Sequence, residues 1–492
     1  MIPDIGILFL ITGLIAFVTM LMEVSIRREI IPALIGRKIT HMANGVLCIL
    51  AIPLMENMTT QVIVGAGISL FALYAQKSNW LSMNNQEDFK SSMGIFFFPL
   101  SFTILMFMWG KELEAVSMMS LLIMSFSDSS ASLFGSYFGK LAFNLRGGKK
   151  TLEGSMVFFL MTIILFFIIS ITPSFTLPVP NAWNLYPWWA SAIMIAVLLT
   201  LLEAMSFRGS DNLTVPLLGS MLIFYLLYDP SWEKTTPFYI GLAFSLMLIL
   251  ISYKIKILDT SGAVGAVLIG TWIFGYGQWA YAIPLLLFFF SSGLLSRIAK
   301  EKKRALKAHD SEKLGRNLAQ VMANGGLPAF LLAIGIWQRW DFLFPMYLAL
   351  MATATADTWA TEIGTAFRGQ KTFSITTLRP LAQGASGGIS AIGTAGALLG
   401  SFVIAALGFV LVPQYSLSMF WTVSALGFAG CLIDSLLGDL WQLRYLSPEG
   451  LRSDFAEGPF QQKAGIHWLN NDLVNFVSAL LAAALSFFVL SA

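Results

Sequence analysis

A few isolated acidic side chains lie among long apolar stretches of this sequence, and they are the first candidates for chemistry. Asp128 precedes Ala131, Gly135 and Gly139. On a helix, this spacing places a carboxylate above a groove of small residues that another helix or a ligand can approach closely. A carboxylate in a membrane segment is costly unless it is paired, bound to metal or facing water, so Asp128 is a functional candidate. Helix packing through the glycines, with Asp128 as a cap, is the alternative.

The loop after Asp128 has the composition of a phosphate-binding segment. Its glycines let backbone N–H groups close on phosphate oxygens, its lysines supply charge, and the next helix N-terminus adds a positive dipole end. It is not a Walker A loop, because the GxxxxGK[ST] spacing is absent. The residues predicted to contact a nucleotide here are Lys149, Lys150, Thr151, Glu153, Gly154 and Ser155.

Oxygen ligands suited to a divalent cation follow at Glu203, Asp211 and Asn212. Carboxylate and amide oxygens are typical ligands of Mg²⁺. Phosphoryl transfer needs metal, cations and positioning more than covalent help, so scattered carboxylates and basic loops suit it, whereas a hydrolase triad fits far less well. We predict that Asp128, Glu203 and Asp211 are catalytic and bind metal, with Asn212 beside them.

A basic cluster near the N-terminus adds three further candidates, Arg37, Lys38 and His41. The histidine follows the two cations within one helical turn. Such a cluster favours an anion contact or a proton-transfer role, with a structural histidine as the alternative.

The same order of motifs recurs in the second half, which indicates an internal repeat. Asp357 precedes Ala360 and Gly364 with the spacing found after Asp128, and a small polar loop, an acidic span end and an Asp/Asn pair follow. Glu362 lies about 140° round a helix from Asp357, so the two would share a ligand only if that helix breaks. The predicted catalytic and metal-binding residues are Asp357, Asp434 and Asp472, with Asp439 at a further equivalent position. The predicted cofactor-binding residues are Arg316, Gln320, Asn324, Glu362, Ser386, Gly387, Gly388, Asn471 and Asn475. For the polar residues at the start of their span, Arg316, Gln320 and Asn324, helix capping is the alternative.

The elements that position these residues must be membrane helices. The 492 residues are 57% hydrophobic and 12% charged, with a mean hydropathy of +0.74, which excludes an ordinary soluble domain. Apolar runs long enough to cross a bilayer recur along the whole chain. We predict an all-α polytopic transmembrane bundle of about sixteen spans in two tandem related halves, 1–235 and 236–492. Cys48 and Cys431 are predicted to be packed core residues without a disulfide or a zinc site.

Basic residues fall almost entirely on one side of such a bundle. Of the 30 Lys and Arg residues, the exceptions are Lys111, Lys234 and Arg339. Since cytoplasmic loops carry the excess of Lys and Arg, we predict cytoplasmic catalytic loops and non-cytoplasmic termini, with the first apolar run retained as a span. Nucleic acid binding is not indicated.

The motifs of each half resemble a known family. Residues 36–220 resemble the polyprenol kinase family of dolichol kinase and plant phytol kinase, and residues 250–490 resemble the family containing plant phytyl-phosphate kinase. The first resemblance rests on Arg37-Lys38-x-x-His41, Asp128-x-x-Ala131-x-x-x-Gly135-x-x-x-Gly139, Lys150-Thr151-x-Glu153-Gly154-Ser155 and Glu203-x-x-Ser206-x-x-Gly209-x-Asp211-Asn212-x-x-x-Pro216. The second rests on Ser261-Gly262-Ala263, Gln320-x-x-Ala323-Asn324-Gly325, the run from Ala356 to Gly364, Gly387-Gly388, Asp434-Ser435-x-x-Gly438 and Asn471-Asp472-x-x-Asn475.

The resemblance implies a fusion of two isoprenoid kinases. Its first half would convert phytol or geranylgeraniol to the monophosphate, and its second half would convert the monophosphate to the diphosphate. CTP would be the phosphoryl donor for both steps, with Mg²⁺ as cofactor. A cytidylyltransferase of membrane lipids, which releases pyrophosphate instead of CDP, is the alternative enzyme. A secondary transporter is the alternative from another class, but the candidate polar residues lie at span ends and not at the bilayer midplane.

Overall fold

Long helices form most of the described chain, because apolar stretches in a bilayer must satisfy their backbone hydrogen bonds internally. The chain divides into two compact units, unit 1 from Met1 to Thr236 and unit 2 from Pro237 to Ala492. The computed structural model describes residues 2–78, 92–145, 149–172, 185–254, 257–304, 316–367, 370–446, 452–453 and 462–491.

Unit 1 contains nine helices and one hairpin within its described residues, and the division between units falls inside a tenth helix. A π-helical segment, Met124–Asp128, joins α5 to α6 without a break. The helices are α1 (Ile2–Arg27), α2 (Ala33–Leu54), α3 (Met58–Lys77), α4 (Gly94–Trp109), α5 (Glu114–Ile123), α6 (Ser129–Phe138), α7 (Leu152–Ser170), α8 (Leu185–Met205), α9 (Asp211–Leu227) and α10 (Trp232–Lys254), and the hairpin pairs β1 (Ala142–Asn144) with β2 (Lys149–Thr151).

Unit 2 continues with six helices and two small antiparallel sheets in its described part. The first helix is interrupted at Gln278, whose φ of 51° is not helical. The helices are α11 (Thr260–Arg304), α12 (Leu318–Gln338), α13 (Leu343–Ala366), α14 (Ala391–Leu411), α15 (Leu417–Trp441) and α16 (Asn471–Ser491). The strands are β3 (Thr372–Ser374), β4 (Pro380–Leu381) and β5 (Gly388–Ile389), in the order β4-β3-β5, and β6 (Arg444–Leu446), β7 (Arg452–Ser453) and β8 (Gln462–Ala464), in the order β7-β6-β8.

The exposed apolar side chains identify the lipid-facing surface. Phe9, Val410 and Phe488 are 72%, 82% and 71% exposed, which is unfavourable in water but not in a bilayer. Ten of the described helices are long and apolar enough to cross a membrane, and α4 and α9 are shorter apolar helices. The all-α polytopic fold is therefore confirmed, and the protein is an integral membrane protein. The predicted number of about sixteen spans is not confirmed.

Both units build the same joint between two consecutive helices. A methyl group added to Gly135 of α6 would lie 3.4 Å from the Cα atom of Gly154 in α7. A methyl group added to Gly364 of α13 would lie 3.3 Å from the Cα atom of Gly393 in α14. The first glycine of each joint lies seven residues after an aspartate, Asp128 or Asp357. These distances are at the short end of ordinary van der Waals contact, so the small residues of the repeated motif form a close helix crossing.

The start of the second helix in each joint is also repeated. The Thr151 hydroxyl accepts a hydrogen bond from the Gly154 N–H, and the Ser390 hydroxyl accepts one from the Gly393 N–H, both at 3.1 Å. These N-caps satisfy backbone donors that the helix leaves unpaired. The counterpart of Thr151 is therefore Ser390. The sequence motifs alone did not define this correspondence.

Candidate functional sites

Three carboxylates predicted to bind metal meet in unit 1. Asp128 comes from the π-helical segment, Glu203 from the last turn of α8 and Asp211 from the first turn of α9. One oxygen of each lies within 4.8 Å of the others, and all three residues are buried or nearly so. These three residues are called the triad below. Glu203 and Asp211 lie at the facing ends of consecutive helices, and helix packing brings Asp128 to them.

Helix α2 brings its basic face against the π-helical segment. A methyl group on Gly45 would collide with the side chain of Ser125, so α2 packs closely against the π-helical segment at this glycine. Lys38 and His41 lie two turns and one turn before Gly45 on the same face of α2. The Lys38 ammonium consequently reaches the Asp128 carboxylate, at an N–O distance of 2.7 Å. Lys38 and His41 form a motif in the sequence, but the close packing at Gly45 is what brings them to the π-helical segment.

A second lysine, Lys150 of β2, neutralises the other two carboxylates. Its ammonium forms an ion pair with Glu203 and lies 3.5 Å from an oxygen of Asp211. Burial lowers the pKa of Lys150, but the carboxylates of Glu203, Asp211 and Asp128 outweigh it and raise the pKa above its ordinary value. Lys150 is therefore a cation at neutral pH.

The donor set of the triad fits a small divalent cation. Oε2 of Glu203 is buried and has no hydrogen-bond partner among the described residues, and the same holds for Oδ1 of Asn212. A buried oxygen without a partner is costly, and a cation is one means of satisfying it. Three carboxylates and one amide oxygen are ligands that Mg²⁺ accepts.

The remaining predicted residues of unit 1 differ in position. Arg37 lies 3.4 Å from the Ser92 hydroxyl, and His41 packs edge-on against Phe98, with its Nε2 unpartnered within the described chain. Glu153 points elsewhere, because its carboxylate accepts hydrogen bonds from the N–H groups of residues 140 and 141. Its contacts anchor the hairpin. Thr151 and Gly154 form the cap and joint already described, Ser155 is buried beside them, and the side chain of Lys149 lies outside the described residues.

Unit 2 places two predicted carboxyl groups in direct contact. Asp357 of α13 and Asp434 of α15 share a side-chain hydrogen bond. The Ser478 hydroxyl donates to Asp434 at 2.7 Å, and the Asn475 amide, in the orientation that satisfies its neighbours, donates to the same oxygen at 3.2 Å. Two carboxyl groups this close cannot both be charged unless a cation joins them. This pair, called the dyad below, offers carboxyl oxygens, and Mg²⁺ is commonly held by one or two carboxylates together with waters or substrate phosphates.

The dyad lies in the wall of a cavity of about 1260 Å³. This is larger than the roughly 300–1,000 Å³ usual for the site of one small ligand. Most of the polar residues predicted for this half line it, and Asp472 stands in the first turn of α16. The predicted residues in its wall are Arg316, Gln320, Asn324, Asp357, Glu362, Ser386, Gly387, Gly388, Asp434, Asn471, Asp472 and Asn475.

Arg316 supplies positive charge to this cavity. Its guanidinium carbon lies 5.4 Å from the ring centre of Phe288, a cation–π contact that holds the side chain in place. Burial lowers the pKa of Arg316, and the carboxylate of Glu362 opposes that shift. Glu362 itself accepts a hydrogen bond of 2.5 Å from the Ser296 hydroxyl. Glu362 therefore interacts with the charge of Arg316, and it lines the same cavity as Asp357.

Asp439 is an anchor and not a member of the dyad. It is 3% exposed, and one oxygen accepts hydrogen bonds from the hydroxyls of Ser374 and Thr376, each at 2.5 Å. Its backbone also contacts Gly387. The sequence grouped Asp439 with the other acids because it cannot tell which carboxylates face a cavity. It missed Ser478 and Ser296, whose single hydroxyls carry no motif.

The contact between Gly387 and Asp439 predicts a measurable difference between two glycines. Gly384 and Gly387 both have positive φ, of 86° and 75°, so alanine at either position pays a similar backbone cost of about 1–2 kcal/mol. At Gly387 the added methyl would also lie 2.3 Å from Cβ of Asp439, whereas at Gly384 its nearest neighbour is a methyl of Thr365 at 3.3 Å. Thermal unfolding should show Gly387→Ala less stable than Gly384→Ala by about 1–3 kcal/mol. Equal losses would mean that the loop relaxes away from Asp439.

Comparison with known proteins identifies the family. The profile of the family described as "Integral membrane protein DUF92" matches residues 243–483. The "Uncharacterized membrane protein MJ0933" of Methanocaldococcus jannaschii is 30% identical over 210 residues, 43% of this chain and 85% of that protein. "Protein VTE6, chloroplastic" of Arabidopsis thaliana is 24% identical over 263 residues, 52% of this chain and 71% of that protein. "Phytol kinase" of Synechocystis is 29% identical over 204 residues, 40% of this chain and 81% of that protein.

Each of these relatives covers about half of this chain or less, while the chain covers most of each relative. No solved structure matches the chain. The extent of the match to the archaeal relative, together with the profile match, shows that this chain belongs to the integral membrane protein DUF92 family.

Proposed function

We propose that this protein is a bifunctional isoprenoid kinase that uses CTP. Unit 1 phosphorylates an isoprenoid alcohol such as phytol or geranylgeraniol, and unit 2 phosphorylates the resulting monophosphate. The observation that carries the proposal is the recurrence, in both units, of converging carboxylates beside a repeated helix joint. The relative named phytol kinase supports the same reaction class. The fusion of two activities rests on the motifs of the two halves.

The reaction proposed for unit 1 includes removal of the proton of the alcohol. An alcohol is a weak nucleophile, and its proton must pass to a base as the new P–O bond forms. A carboxylate accepts this proton in protein kinases, and we assign that role to Asp128. Lys38 and Lys150 supply positive charge for the phosphate oxygens. Mg²⁺ held by the triad would neutralise charge that develops on the transferred group.

The reaction proposed for unit 2 is simpler, because its nucleophile is already charged. A phosphate monoester has a second pKa of about 6 and is already an anionic nucleophile at neutral pH, so no base is required. Positioning two anions together is the difficulty instead. The cavity has room for both a nucleotide and a lipid phosphate, and Arg316 provides a cation for their oxygens. Mg²⁺ held by the dyad would neutralise negative charge on the phosphate oxygens.

The product distribution tests the proposed function. The purified protein in detergent is incubated with phytol, Mg²⁺ and CTP labelled at the γ-phosphate, and the lipid and nucleotide products are separated. Labelled phytyl monophosphate and diphosphate, together with CDP, are expected. Release of labelled pyrophosphate would establish the cytidylyltransferase instead. No labelled lipid, combined with solute uptake by vesicles that contain the protein, would favour the transporter.

Arg316 provides a more specific test of unit 2. Loss of one charge-assisted contact to phosphate should raise the KM of Arg316→Met for phytyl monophosphate about 10- to 100-fold, since such contacts contribute about 1.5–3 kcal/mol. The kcat should change much less, because the dyad is untouched. Arg339→Met is the matched control, since Arg339 is an exposed residue at the end of α12. An unchanged KM would place the lipid phosphate elsewhere in the cavity.

A further inference from the structure

The two units neutralise their carboxylates in different ways. In unit 1 each member of the triad contacts a lysine, either Lys38 or Lys150. In unit 2 the partners of the dyad are the neutral side chains of Ser478 and Asn475. No basic side chain within the described ranges forms an ion pair with Asp357 or Asp434. The resting charge of the two sites is therefore different.

One position of the repeat accounts for much of this difference. Lys150 lies directly before the N-cap residue Thr151, and Ile389 lies directly before the N-cap residue Ser390. Each is also opposite a phenylalanine across its small sheet, since Phe143 pairs with Lys150 and Phe373 pairs with Ile389. Ile389 is the counterpart of Lys150 by both criteria, and it lines the unit 2 cavity.

An ammonium among carboxylates competes directly with a divalent cation. Mg²⁺ needs several oxygens at about 2.0–2.1 Å, and a lysine between Glu203 and Asp211 occupies that space and repels the cation. Lys150 can leave only if another anion receives it. Otherwise its ammonium and the buried carboxylates of Glu203 and Asp211 would each lack an opposite charge. The phosphates of a nucleotide are such an anion. The dyad has no lysine between its carboxyl groups, only the hydrogen bond that the two groups share.

We propose that the two units bind their divalent cation under different conditions. The dyad of unit 2 binds it in the absence of nucleotide, whereas the triad of unit 1 binds it only when a nucleotide draws Lys150 away. Lys150 thus acts first as the resident counter-ion of the triad and then as a phosphate ligand. This inference rests on the proposed function, from which the metal and the nucleotide are taken.

Binding of Mn²⁺ to the full-length protein in detergent, without nucleotide, tests the proposal directly. Electron paramagnetic resonance measures the free ion and therefore the number of ions bound per chain. The wild-type protein should bind one ion. Asp434→Asn should lose it or bind it at least about tenfold more weakly, and Glu203→Gln should retain it. A wild-type protein that binds none, or that binds two with one lost in Glu203→Gln, overturns the proposal.

Substitutions at the repeated position, Lys150 in unit 1 and Ile389 in unit 2, test the competition between lysine and cation. In the Asp434→Asn background, Lys150→Met should create a new Mn²⁺ site on the triad, whereas Lys140→Met should not, because Lys140 is an exposed lysine outside the triad. In the otherwise wild-type chain, Ile389→Lys should abolish the site on the dyad. If Lys150→Met fails to fold, Ile389→Lys still decides, since retained binding in that variant contradicts the competition.

The outcome is separable from that of the proposed function. Lipid phosphorylation is measured on the same preparations. Kinase activity with the wrong Mn²⁺ stoichiometry overturns only the inference about cation binding. The expected stoichiometry without any phosphorylated lipid overturns only the kinase assignment.

Discussion

Asp357→Asn is expected to stop the reaction at the monophosphate. The amide has the shape of the carboxyl group and can keep a hydrogen bond to Asp434, so the fold should change little. It removes the charge that the dyad needs to hold a cation between two anionic substrates. We expect a fall of about 10²–10³-fold in diphosphate formation, the usual effect of losing one preorganised electrostatic contact. Phytyl monophosphate should form at least as fast as the wild-type protein forms monophosphate and diphosphate together.

The measurement resolves labelled monophosphate from diphosphate over time, starting from phytol. Asp341→Asn is the control, because Asp341 is an exposed aspartate just before α13. It should leave both products unchanged. Normal diphosphate formation by Asp357→Asn would show that the dyad is not the second site, and loss of both products would contradict the division of labour between the units.

Asp128→Asn is expected to abolish both products when the alcohol is the substrate. The substitution removes the proposed base and one of three carboxylates, and it leaves Lys38 without its carboxylate partner. Monophosphate formation should fall by at least about 10²–10⁴-fold, the range for loss of a general base. The diphosphate disappears with it because its precursor is missing.

Supplying phytyl monophosphate should restore diphosphate formation in Asp128→Asn. This rescue also controls for folding, since breaking a buried ion pair can cost about 3–5 kcal/mol and a misfolded chain would not be rescued. Asp229→Asn, which alters an exposed aspartate of unit 1, should behave as wild type. Should the supplied monophosphate fail to react in a well-folded variant, Asp128 would serve both steps and the two-site scheme would be wrong.

The proposed order of the two activities has a physical rationale. The first step needs a base for an alcohol proton, and unit 1 has a carboxylate within a lysine-rich group. The second step joins two phosphates, and unit 2 has a large cavity with an arginine in its wall. The two sites are thus suited to different nucleophiles, although they are built on one repeated joint.

The sequence alone was sufficient for the fold class, and it singled out the carboxylates that the structure brings together in each unit. Apolar composition requires membrane helices, because a bilayer offers the backbone no other partner. Isolated aspartates in such helices are functional candidates for the same reason, and the spacing from Asp128 to Gly135 and from Asp357 to Gly364 indicated a repeat. These conclusions depend only on local composition and periodicity.

Only the tertiary structure decided which of these groups face one another. Lys38 and Asp128 are 90 residues apart and meet through a glycine contact, while Lys150 reaches Glu203 across 53 residues. Glu153 and Asp439 resemble ligands in the sequence but are held by backbone and hydroxyl groups. The register of the repeat also depended on the two N-caps. Contacts of this kind follow from how helices pack, and helix packing is a property of the whole chain that no local motif contains.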